Sequence, residues 1–115
     1  MMQSVGRLLI AIGISAVLTG GAQAAGDPDA GKVKFTTCTG CHAIPGYTNA
    51  YPNYHVPRLG GQHPDYIVAA LNGYQTGERQ HPTMHANAFS LSEQDMRDIA
   101  AFVAGARASA VPLPI

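Results

Sequence analysis

The chain has 115 residues, a length that points to a single domain. Its 7 Lys and Arg balance 7 Asp and Glu, so it lacks the basic excess of a nucleic-acid binder. Charged residues are 12% of the chain, about half the usual ~25% share; the 46% apolar fraction argues against general disorder, and two cysteines exclude a multi-disulfide framework.

The first 24 residues have the pattern of a secretory leader. A short start with one basic side chain, Arg7, precedes the uncharged run Leu8 to Leu18. Gly20 and Gly21 break that run, and Ala22-Gln23-Ala24 offers small residues at alternate positions. An uncleaved anchor is the alternative, but the 11-residue apolar run is short against the ~20 needed to span a bilayer. Cleavage after Ala24 would leave a domain over 25–115 with a formal charge of −1. A domain of that size has a modest core and commonly leans on a metal, a disulfide or a cofactor.

Three segments of that domain are expected to be helices. Asp27-Pro28-Asp29 opens the first with a cap, a proline suited to the first turn and an acidic residue at the positive helix end. It should run to about Thr37, with Gly31 and Phe35 on one face. The second begins near His63-Pro64-Asp65, carries Tyr66, Ile67, Ala70, Leu71 and Tyr74 on one stripe, and stops at Gly77. In the third, Ser92 caps a stripe of Met96, Ile99, Phe102, Val103 and Ala106, and the prolines of Val111-Pro112-Leu113-Pro114 prevent continuation. The connections 43–62 and 78–91 show no sustained period, and strand signals are nearly absent. Loops this long in so small a domain are unusual unless they wrap a ligand. The expectation is an all-α domain of three main helices and long loops that lacks part of its own core.

Cys38-Thr39-Gly40-Cys41-His42 supplies a candidate for the missing part. C-x-x-C-H is the attachment pattern of haem c. Two thiols three residues apart share one side of a helical turn, where each can add to a vinyl group, and the following imidazole is held against the iron. A redox-active disulfide would need a thioredoxin-like βαβ setting, and a structural zinc would need a second pair of ligands; the sequence suggests neither.

With these residues in view, 27–106 resembles the class I c-type cytochromes, most of all small bacterial monohaem proteins and single halves of the dihaem c-four type. The matching stretches are Gly31-Lys32-Val33-Lys34-Phe35, the cysteine motif, and Pro57-Arg58-Leu59-Gly60-Gly61-Gln62. They continue through Asp65-Tyr66-Ile67, Tyr74-Gln75-Thr76-Gly77-Glu78-Arg79, His81-Pro82-Thr83-Met84 and Leu91-Ser92-Glu93-Gln94-Asp95-Met96. The resemblance implies a cytochrome c-like fold around one haem c bound through Cys38 and Cys41. It also implies that the Pro57 carbonyl orients His42, that Leu59 packs on the ring, and that Gly31, Phe35 and Phe102 form a crossing of the first and last helices. The connection from Ala43 to Val56 is longer and richer in tyrosine than this subgroup leads one to expect.

His42 provides one axial ligand. For the other, Met84 and Met96 are the methionines beyond the leader. Met96 shares its stripe with Ile99 and Val103 and fits core packing, whereas Met84 lies in the connection between the second and third helices. The resemblance independently places the distal ligand at Met84. His55, His63, His81 and His85 are the rivals, with His81 and His85 foremost. Arg79, Tyr74 and Gln62 are candidates to bond the haem propionates.

The functional expectation is a periplasmic, monomeric electron carrier rather than an enzyme, passing electrons between redox partner proteins. No nucleic-acid partner is expected, and a membrane attachment only if the leader is retained. With Lys32 and Lys34 its only lysines, charge steering should be weak. The alternatives are a haem subunit of a larger oxidoreductase, or a peroxidase or small-gas binder whose Met84 bond opens.

Overall fold

Asp27 starts the first helix as its sequence predicts. In this computed structural model, which describes residues 25–106, α1 spans Pro28–Lys34, and the Asp27 carboxylate accepts from the amides of Asp29 (2.9 Å) and Ala30 (3.3 Å). The expected leader and the proline-rich tail lie outside the described residues. α1 does not run unbroken to Thr37: a 3-10 turn over Phe35–Cys38 intervenes before α2, Thr39–His42. The threonines give a local cause. Thr37 Oγ1 donates to Lys34 O (3.4 Å) and Thr39 Oγ1 to Thr36 O (2.7 Å), and such hydroxyls compete with the regular helical ladder.

The tyrosine-rich connection departs from the expected loop. Within it, β1 (Thr48–Ala50) pairs antiparallel with β2 (Asn53–His55) in the register Thr48↔His55, Asn49↔Tyr54, Ala50↔Asn53. Strands of three residues are too short to establish an alternating pattern.

α3 (Pro64–Thr76) falls where its stripe and proline place it. Gly77 ends it in the left-handed region at φ +80°, a conformation that favours glycine. The second departure follows: Pro82–Ala88 forms a short helix, α4, so Met84 sits on a helix rather than in an irregular loop. Its cap is His81, whose Nδ1 accepts from Met84 N (3.3 Å), and histidine is not among the usual capping residues. α5 (Glu93–Gly105) begins at Ser92, as expected, within a reciprocal box. The Ser92 Oγ accepts from Asp95 N (3.1 Å), and the Asp95 carboxylate accepts from Ser92 N (2.8 Å).

The core forms where α1 crosses α5 and α3 packs beside them. Phe35, Ile67, Leu71, Ala88, Met96, Ile99, Ala100 and Val103 are buried there. Phe35 meets Phe102 at a centroid distance of 5.4 Å. Glycine is required at position 31, because a Cβ there would lie 1.9 Å from the Asp98 carbonyl oxygen. Beside this crossing the Asp98 carboxylate, 3% exposed, accepts from Asp27 N (2.8 Å), Gln94 Nε2 (2.8 Å) and Lys34 Nζ (2.6 Å). That polar clasp ties both ends of α1 to the middle of α5. No helix among the described residues is long and apolar enough to cross a membrane.

Candidate cofactor site

A cavity of ≈ 250 Å³ opens against the core and is floored by Phe35, Ile67, Leu71 and Ile99. Four stretches of chain converge on it: the cysteine motif, residues 54–59, the inner face of α3, and the start of α4. Cys38, Cys41, His42, Pro57, Leu59, Arg79 and Met84 all line it, as do Gln62 and Tyr74. Folding thus brings these nine residues, all singled out in the sequence, to one place, whereas the rival histidines His63 and His85 stay outside it.

The 3-10 turn and α2 present the two thiols, which are free and partly buried. Burial pushes the Cys38 thiol above its ordinary pKa, against the opposing effect of its contact with Thr37. His42 Nδ1 lies 2.8 Å from Pro57 O. A carbonyl oxygen only accepts, so Nδ1 carries the proton and the Nε2 lone pair is left for a ligand. Burial lowers the His42 pKa despite that bond, which keeps the imidazole neutral, the form that coordinates metal.

Three of the other histidines are differently engaged, and the fourth, His85, does not line the cavity. His63 Nδ1 accepts from Asp65 N (3.3 Å) and caps α3, and His81 Nδ1 accepts from Met84 N; in both the imidazole lone pair serves a helix cap. His55 Nδ1 pairs with Thr48 Oγ1 at 2.9 Å. His85 donates from Nδ1 to Tyr74 O at 2.8 Å, as His42 does to Pro57 O, but it is exposed and lies outside the cavity lining. Met96 is 1% exposed inside the core, as its helical stripe predicts. Met84 is partly buried, packs against the core and lines the cavity.

Arg79 stacks over Tyr74, 4.7 Å from its centroid, and donates to the Tyr66 hydroxyl (3.3 Å). Sequence reasoning missed Tyr66, Thr83 and Asn87 as wall residues and left Tyr54 and His55 unassigned. Tyr66 falls on the α3 stripe and Thr83 stands beside Met84, but neither pattern says what the side chain faces, since each residue reaches the cavity through an element whose position depends on distant contacts.

These residues fit a haem: an apolar slot, two free thiols on one turn, a neutral imidazole beside them and a thioether from a separate helix. The zinc alternative lacks a ligand set, since no group of three or more His, Cys, Asp or Glu gathers to hold a metal ion among the described residues.

Comparison with known proteins gives the same answer. The family model for cytochrome c matches residues 28–107. Cytochrome c4 of Pseudomonas aeruginosa is 37% identical over 103 residues, covering 90% of this chain and 50% of that protein. Cytochrome c-554(548) of Halomonas halodenitrificans is 38% identical over 81 residues, covering 68% of this chain and 94% of its own. Among solved structures, cytochrome c4 of Acidithiobacillus ferrooxidans, described as supporting a complex-induced tuning of electron transfer, aligns with a TM-score of 0.58 at 26% identity. That alignment covers 74% of this chain and 52% of that one. The chain spans about half the length of the cytochrome c4 relatives it matches. Because the match runs from α1 through the thiol pair to the end of α5, the chain belongs to the cytochrome c family and binds one haem c covalently through Cys38 and Cys41.

Proposed function

We propose that the protein is a single-haem electron carrier of the periplasm, with His42 and Met84 as the side chains that would hold its iron. The bound haem supplies one-electron chemistry, its iron alternating between Fe(III) and Fe(II). The Pro57 carbonyl, 2.8 Å from His42 Nδ1, orients the imidazole and raises its basicity. A methionine opposite a histidine raises the potential relative to two nitrogen ligands, which suits electron passage from dehydrogenases or quinol-fed complexes toward a terminal acceptor. Arg79, Tyr74 and Gln62, which line the cavity, would bond the propionates, and Leu59 would pack on the ring. Lys34 is held by Asp95 (2.7 Å) and Asp98 (2.6 Å), and Lys32 is the only other lysine, so charge steering is weak and docking relies on the apolar surface near the haem edge. Export follows from the leader pattern of residues 1–24.

One observation carries this reading: His42 and Met84 come from different helices to line one cavity, while Met96 is sealed in the core. The test is a pair of variants. Met84→Ala should abolish the sulfur-to-iron charge-transfer band of the ferric protein and lower its potential. Met96→Ala should keep the band and cost about 2–5 kcal/mol of stability through the cavity it leaves. The reverse pattern would refute the ligand assignment, and a ferrous wild-type protein that binds carbon monoxide readily would favour a gas binder over a carrier.

A further inference from the structure

We infer that the β1–β2 hairpin is a strap that holds the start of α4 against the haem, with Tyr54 as its positioning residue. The inference rests on Met84 being the distal ligand. α4 has seven residues, too few to be stable as an isolated helix, so its place depends on contacts from elsewhere. At its far end the Gln75 side-chain amide donates to Ala88 O (3.0 Å) and Phe89 O (3.2 Å).

At its near end the holding group is Tyr54. The Tyr54 hydroxyl pairs with Thr83 Oγ1 at 3.1 Å, and its ring meets His81 edge-on at 4.6 Å. His81 in turn accepts from Met84 N. One side chain therefore touches both the residue before Met84, 29 positions away in sequence, and the residue that caps its helix.

The hairpin is built to present that side chain. Tyr54 is half-buried between exposed Asn53 and His55, as alternation along a strand requires. The turn is closed by Asn49 Nδ2 donating to Pro52 O (2.7 Å), and the open end by Val56 N donating to Tyr47 O (3.0 Å). A two-stranded hairpin alone is marginal in water, so its anchorage on α4 steadies both partners. Pro57, whose carbonyl holds His42, follows closely after Tyr54. A single short segment thus supports both ligand helices.

Imidazole competition on the ferric protein tests this, with the sulfur-to-iron band reporting whether Met84 is displaced. Tyr54→Phe removes the hydroxyl and keeps the ring. It should tighten imidazole binding about 2- to 10-fold, the range expected for one lost hydrogen bond. Thr83→Val removes the same bond from the other side and should give the same result, Thr83→Ser should match wild type, and the double variant should go no further than either single one. Unchanged imidazole affinity in both single variants, with the band still lost in Met84→Ala, would overturn the strap alone. A band that survives Met84→Ala would overturn the ligand assignment and the strap together.

Discussion

Replacing Gly31 with alanine tests the helix crossing on which the cavity floor depends. The added Cβ would stand 1.9 Å from Asp98 O, 2.4 Å from Asp98 C and 3.0 Å from Ile99 N. These are backbone atoms of α5 and cannot turn aside as a side chain would. Carbon reaches a favourable contact near ~3.5 Å, so the helices must part by roughly 1.6 Å. Parting them lifts Phe35 from Phe102 and loosens the Asp27 and Lys34 bonds to Asp98. Overpacking of this kind costs ~3 kcal/mol or more, and alanine's better helix propensity returns up to ~1 kcal/mol. The expected net loss is about 2–4 kcal/mol, a large share of the ~5–15 kcal/mol typical of a domain. Urea unfolding of the ferric haem protein, followed by far-ultraviolet circular dichroism, measures it. Gly105→Ala is the control, because nothing lies within 4 Å of a Cβ there, and it should be neutral or stabilising by up to ~1 kcal/mol. A Gly31→Ala protein within ~1 kcal/mol of wild type would refute the close-approach argument.

The Asp98 clasp predicts a pH dependence. Hydrogen bonding from Lys34 holds the Asp98 and Asp95 carboxyls down at about 2, below the ordinary 3.8. A depressed carboxyl stabilises the fold above its unfolded pKa and loses that contribution as pH falls through the folded value. The urea midpoint should therefore drop between pH ~4 and ~2. Asp98→Asn should be less stable than wild type at about pH 7, with the difference shrinking steadily as pH falls from about 4 through about 2; a difference as large at about pH 2 as at about pH 7 would place the effect outside ionisation. Gln75→Leu keeps the side-chain size but removes the donor to Ala88 O, Phe89 O and Leu91 O. It should cost about 1–3 kcal/mol in urea unfolding, and a neutral result would show that α4 does not need that tie.

Much of the molecule is legible in the chain itself, wherever the cause lies within one or two turns. Asp27-Pro28, His63-Pro64 and Ser92 announce helix starts, Gly77 announces a stop, and the stripe through Met96 separates a core methionine from Met84. The cysteine motif names its cofactor because the attachment chemistry needs neighbouring thiols and an adjacent imidazole. α4 and the hairpin escape notice because three to seven residues carry too little periodicity; His81-Pro82 repeats the His-Pro start of α3, but no apolar stripe long enough to read follows it. Asp98 reads locally as one more charge on an amphipathic helix. Its burial follows from partners 64 and 71 positions away. Tyr54 over α4 and the Pro57 carbonyl at His42 are likewise products of docking, since short-range patterning sets the form of a segment while the contacts that orient its side chains come from segments far off along the chain.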